Sequence, residues 1–200
     1  MIILDVEQGS DEWFSARCGV LSASNFDKVI TSKGTLSTQN IGLMNELIAE
    51  KFTGTKTKIK TNDAMLRGVE LEAEAREYYE FITDNEVKEV GMVYKSEDKD
   101  ISCSPDGLSI DRGLEIKCPL AKTHVSYLLS GKLPTKYVQQ VQGSMWVTGL
   151  DKWDFLSYHP DMPPLLLTVE KDVEFHKCLD KVLGDFISKL KSNLDKIRRL

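Results

Sequence analysis

Two hundred residues that are 41% hydrophobic and 28% charged, with 13 glycines and 6 prolines, exclude a disordered or collagen-like chain. One domain over residues 1–200 is the expectation, with no stretch near the ~18–20 apolar residues of a membrane span. The formal charge of −5 argues against nonspecific coating of nucleic acid, yet allows an enzyme that acts on it with clustered carboxylates.

The first residues, Met1-Ile2-Ile3-Leu4-Asp5, lack the basic n-region of a signal peptide, so the expected setting is the cytoplasm. Residues 10–18 read as a short helix with Ser10 as N-cap, Asp11 and Glu12 in the first turn, and Gly19 as its stop. A second helix is expected from Ser22 or Ser24 to about Ile30, followed by a loop over 31–35. Residues 40–52 place Ile41, Leu43, Met44, Leu47, Ile48 and Phe52 at helical spacing, closed by Gly54. The segment 54–61 carries Lys56, Lys58 and Lys60 and is either a solvated loop or a DNA-contacting arm. Thr61 or Asn62 then caps a long helix to Asp84, with Met65, Leu66, Val69, Ala73, Tyr78, Phe81 and Ile82 toward a core.

From residue 86 the apolar period becomes two, predicting a strand or bent hairpin up to Lys95. Further strands are expected over 101–104, 108–110 and 114–117, the last two joined by the turn Asp111-Arg112-Gly113. Helices over 123–129 and 135–147 follow, each stopped by a glycine. Strands over 153–158 and 165–169 and an amphipathic helix over 173–197 complete the chain. This order suits an α/β (α+β) fold, a central mixed sheet flanked by helices. Cys18, Cys103, Cys118 and Cys178 are scattered and read as reduced thiols. His124, His159 and His176 are too far apart to suggest a site.

Chemistry concentrates in Ser104-Pro105-Asp106-Gly107 and Leu114-Glu115-Ile116-Lys117. Alternate strand residues share a face, so Glu115 and Lys117 project together while Ile116 points into the core. A Glu-x-Lys pair by itself is an ordinary surface ion pair worth about 0–1 kcal/mol. Asp106 at the end of a neighbouring strand changes that reading, because two carboxylates and one amine then converge at a sheet edge. Hard carboxylate oxygens suit Mg²⁺ or Mn²⁺, with the carbonyl of Ile116 as a further donor. A metal there would activate water, and Lys117, its pKa lowered by burial beside the ion, would orient or deprotonate that water.

This arrangement resembles the PD-(D/E)-x-K nuclease motif. Residues 13–17, 19–24, 68–76, 103–108, 114–119, 140–142 and 144–148 together resemble the phage lambda exonuclease (YqaJ-type viral recombinase) family. The resemblance implies a restriction-endonuclease-like core and assigns Asp106, Glu115 and the Ile116 carbonyl as metal ligands, with Lys117 as catalytic lysine. It assigns Glu72 as the helix-borne glutamate of the active site; Glu70 and Glu74, on a shared face away from it, are its rivals. Arg17, Ser24, Ser104 and Gln140 match residues that hold a terminal 5′-phosphate. Tyr137 is either core or in contact with DNA. The implied activity is 5′→3′ exonuclease action on linear double-stranded DNA ends, using two Mg²⁺ ions for which Mn²⁺ can substitute, and releasing mononucleotides. The implied partners are two further copies in a toroidal homotrimer and a single-strand annealing protein, inside the bacterial host of a phage or prophage. The alternatives are an endonuclease or junction resolvase with the same motif, or a DNA-end-binding scaffold without catalysis. Segment 32–60 matches the family poorly, and the turn between Asp106 and Glu115 is slightly short.

Overall fold

A computed structural model describes residues 1–56 and 63–200, with residues 63–65 described by their backbone alone. The elements in chain order are β1 (Ile2–Leu4), α1 (Asp11–Ala16), β2 (Leu21–Ser22), α2 (Asn40–Thr53), α3 (Asp63–Thr83), β3 (Met92–Tyr94) and β4 (Ile101–Cys103). Then come β5 (Gly107–Leu108), β6 (Arg112–Lys117), α4 (Ala121–Ser130), α5 (Val138–Thr148), β7 (Lys152–Ser157), β8 (Leu165–Glu170) and α6 (Val173–Arg198). Tight 3₁₀ turns occupy Ala23–Lys28 and Thr135–Tyr137, where the sequence suggested plain helix. The expected cap at Thr61 or Asn62, and Lys58 and Lys60, lie outside the described residues. Among the described residues no helix is long and apolar enough to cross a membrane.

The architecture is mixed α/β with sheets flanked by helices, as the element order predicts. The sheet itself is divided. One sheet has the order β1-β3-β4-β2 and the other β5-β6-β7-β8. In the first, β2 runs parallel to β4 and the other pairs are antiparallel. In the second, β6 and β7 run parallel from Arg112↔Lys152 to Lys117↔Ser157, between antiparallel partners β5 and β8. The division falls at Ser104-Pro105, between β4 and β5. Proline has no N–H to continue a ladder, and the next residue, Asp106, already donates its N–H to the Leu114 carbonyl, 3.1 Å away.

The larger core unites both sheets with α2, α5 and α6 through Phe26, Leu47, Met145, Trp153, Phe155 and Leu179. The amphipathic stripe of α6 supplies Phe175, Leu179, Leu183, Phe186, Leu190 and Leu194 to it, and Asp172 caps that helix by accepting from the Phe175 N–H. Helix α5 presses on the first 3₁₀ turn so closely that a side chain at Gly143 would stand 2.4 Å from the Phe26 ring. A smaller core beneath the carboxylates joins α3 to the second sheet: Ala75 and Tyr79 pack with Leu114, Ile116 and Leu156.

Candidate active site

Strand β6 presents Glu115 and Lys117 on one face and buries Leu114 and Ile116 on the other, as a period of two requires. Asp106 enters from the turn before β5, and its Oδ2 accepts the Ile116 N–H at 2.6 Å. The carboxylate is thereby stapled beside Glu115, although they stand nine positions apart in sequence. Lys117 Nζ pairs with Glu115 Oε1. Gln140, on the first turn of α5, donates to the same oxygen at 2.5 Å. The other oxygen, Glu115 Oε2, is buried and has no hydrogen-bond partner among the described residues.

The electrostatics follow from three acids sharing a desolvated site. Burial pushes Glu115 up to about 7, against the pull of Lys117. Glu72 also rises to about 7, through burial and the nearness of Asp106. Asp106 is raised by burial too. Burial alone would lower Lys117, as the sequence suggested, but Glu115 and Asp106 outweigh it and hold the amine well above the usual lysine range. Burial thus disfavours negative charge on all three acids, and the Lys117 amine beside them offsets it.

Glu72 reaches this site from α3 and pairs with Arg76 one turn on, at 3.1 Å. Arg76 also donates from Nε to the Asp106 carbonyl at 2.8 Å and pairs with Glu89 at 2.8 Å. Of the rival glutamates, Glu74 accepts from the Tyr158 hydroxyl at 2.5 Å and Glu70 is exposed. Arg76 carries no sequence signal beyond its spacing of four from Glu72; its bond to Asp106 spans 30 residues.

A second group lies at the start of the Ser104-Pro105-Asp106 turn. Arg17, the C-cap of α1, donates to Ser104 Oγ at 2.9 Å and to Ser24 Oγ at 3.1 Å, and its guanidinium lies 4.4 Å from the centre of the Trp13 ring. Among the described residues it meets no carboxylate at ion-pair distance, and burial lowers it to about 10. Ser104 Oγ also accepts from Trp13 Nε1 at 3.2 Å, so its own hydrogen remains for an outside acceptor. Ser24, read as a possible helix cap, instead donates to Ser22 Oγ at 3.3 Å. Gln140 is hydrogen-bonded within the carboxylate group. Tyr137 packs against Phe155 and stands with its ring centre 5.6 Å from Lys117 Nζ. His124 and His176 are buried structural residues, bonded to Ser157 and Gln142.

The donor set fits a hard divalent cation. Two adjacent carboxylates and a main-chain carbonyl are what Mg²⁺ takes from protein, water supplying the rest. An acceptor oxygen buried without a donor is a place for a cation to satisfy. Among the described residues no group of three or more His, Cys, Asp or Glu side chains is arranged to hold an ion.

Fold and site define the class: a mixed α/β protein with a PD-(D/E)-x-K constellation on a β-hairpin. The model of the YqaJ-like viral recombinase domain matches residues 12–151, and the chain belongs to that family. It is similar to the crystal structure of an alkaline exonuclease, LHK-Exo, from Laribacter hongkongensis, with 32% identity and a TM-score of 0.86 over 95% of this chain and 97% of that one. The structure of LHK-Exo in complex with dAMP matches to the same extent. A phage related exonuclease from Haemophilus somnus 129PT, 16% identical with a TM-score of 0.66 over 90% of this chain and 95% of its own, shares the fold. A protein of Escherichia coli (strain K12), ExoD, is 34% identical over 68 residues, covering 32% of this chain and 78% of that protein.

Proposed function

We propose that the chain is a Mg²⁺-dependent exonuclease that degrades linear double-stranded DNA 5′→3′ from phosphorylated ends, releases mononucleotides and leaves a 3′ strand for annealing. The observation that carries this reading is Asp106 stapled beside Glu115, with Lys117 on the same face and a buried Glu115 oxygen that no donor among the described residues satisfies. Membership of a viral recombinase family and likeness to an alkaline exonuclease support a nuclease role.

Asp106, Glu115 and the Ile116 carbonyl would hold the ion. Mg²⁺, when bound, polarises a phosphoryl oxygen and lowers the pKa of a bound water. Lys117 keeps its positive charge beside the scissile phosphate, where it offsets the charge that develops on attack. Gln140 fixes the rotamer of Glu115, and Arg76 fixes Glu72 against the Asp106 main chain. Arg17 with Ser24 and Ser104 supplies a guanidinium fork and a hydroxyl proton to the terminal phosphate, whose spacing from the carboxylates sets which bond is cut.

A time course with Mg²⁺ on linear duplex labelled at either end, bearing 5′-phosphate or 5′-hydroxyl, beside a closed circle, tests this. The expected result is 5′-nucleotide release from phosphorylated ends alone, with the circle intact. Cutting of the circle would instead make the chain an endonuclease. No cleavage of any substrate would leave the scaffold reading. The homotrimer is tested separately by the native mass.

A further inference from the structure

One buried acid takes no part in the chemistry above. Glu50, on the last turns of α2, is 1% exposed, and charged side chains are rarely that deep without a purpose. Its Oε2 accepts the Gly19 N–H at 2.8 Å and pairs with Lys56 Nζ at 2.8 Å. Its main-chain carbonyl accepts from Cys18 Sγ at 3.3 Å. Gly19 has φ +67°, and a Cβ there would stand 2.3 Å from Lys51 Cγ and 3.2 Å from the Leu47 carbonyl. The helix end therefore lies directly on the turn that follows Arg17, and only glycine lets it come so close.

That turn carries the guanidinium. Arg17 sits two residues before Gly19, and among the described residues its partners are neutral: Ser24, Ser104 and the Trp13 ring. Glu50 supplies negative charge nearby and works against the lowering that burial imposes on Arg17. It also holds Lys56, the first lysine of the basic segment after α2, at the same junction.

We propose that Glu50 is the positioning residue of the end-recognition pocket: it ties the Arg17–Gly19 turn to α2 and to Lys56, and so fixes the guanidinium for a terminal 5′-phosphate. The proposal rests on the reading of Arg17 as the phosphate contact. The anchor is internal and charged, so its loss loosens the fork without touching Asp106, Glu115 or Lys117.

The test uses the full chain and Mg²⁺ with blunt duplexes ending in 5′-phosphate or 5′-hydroxyl, comparing wild type, Arg17→Ala, Glu50→Gln and Glu50→Ala. Glu50→Gln keeps the shape and an acceptor for Gly19, so it decides the matter if Glu50→Ala does not fold. For Glu50→Gln the preference for phosphorylated ends is expected to fall roughly tenfold, in KM and not kcat, with hydroxyl ends within about twofold of wild type. Equal loss on both ends would show a merely structural role and overturn the proposal. A wild-type preference removed by Arg17→Ala but kept by the Glu50 variants overturns the proposal alone. No preference in the wild type overturns the reading of Arg17, and this proposal with it.

Discussion

Replacing Lys117 by alanine removes one amine from β6 and leaves Glu115 and Asp106 facing each other without the cation that now offsets them. Removing a group that stabilises charge in the transition state costs about 10²–10³-fold in rate. Lys117→Ala is therefore expected to lower cleavage by at least that factor while duplex binding by gel shift stays within about threefold of wild type. Retained cleavage would remove Lys117 from the chemistry. At this scale the sequence was legible where function is local. Pro105-Asp106 and Glu115-Ile116-Lys117 reveal themselves by spacing, because a strand and a tight turn fix where their side chains go. Arg76 and Glu50 were illegible for the opposite reason: their partners, Asp106 and Gly19, lie 30 and 31 residues away, and only the packed chain brings them together.

Gly113 shows how an element is held to its neighbour. A Cβ at this position on β6 would stand 2.3–2.5 Å from the Trp153 ring of β7, a buried side chain with nowhere to go. Overpacking of this kind costs about 1–3 kcal/mol. Gly113→Ala is expected to lower the melting temperature by roughly 2–4 °C per kcal/mol lost, with cleavage falling because Glu115 lies two residues along the same strand. An unchanged melting temperature would show that the indole can move aside. Helices α2 and α6 were legible because a long period of apolar residues marks a core-facing helix. For α3 the helix was legible but its inner face was not: Leu66, Val69, Ala73, Phe81 and Ile82, expected toward the core, are exposed, and Ala75 and Tyr79 pack there with Leu71 and Tyr78. β1 and β2 were not legible, since three and two residues are too few to show alternation, and Ser22 at the end of β2 is also the N-cap residue of the 3₁₀ turn that follows. The strand expected from 86 shrinks to Met92–Tyr94. Gly91 packs so closely on Val6 that a Cβ would meet its carbonyl at 2.0 Å, and Lys88 forms a bridge with Leu108 of the other sheet.

Stability of the whole molecule should register the cost of its acids. Glu72 and Glu115, each near 7 in the folded chain, take up protons more readily than in the unfolded chain, where the ordinary value is 4.5. Between about 4.5 and 7 the native state thus binds more protons, and stability falls as pH rises through that window. Lys117 stays charged throughout and does not change the slope. In chelator, the melting temperature is expected to fall by several degrees from pH 5 to pH 8, at roughly 2–4 °C per kcal/mol, and Mg²⁺ to reverse the fall at pH 8. Glu115→Gln should make the profile shallower, leaving the part due to Glu72, and abolish the response to Mg²⁺. A profile that rises from pH 5 to pH 8 in chelator would contradict the raised values. The fold class was legible at this scale from the order of helices and strands, but the division into two sheets was not. It depends on which carbonyl the Asp106 N–H chooses, and composition does not record that choice.

The parallel pairing of β6 with β7, from Arg112↔Lys152 to Lys117↔Ser157, has a consequence for the timing of synthesis. When residue 120 is joined to the growing chain, Glu72, Asp106, Glu115 and Lys117 have been made, yet the strand that braces β6 has not. An unfinished polypeptide therefore holds the parts of a DNA-cutting centre with no frame to align them. On the nuclease reading proposed above, cleavage waits until Lys152–Ser157 has emerged to pair with β6.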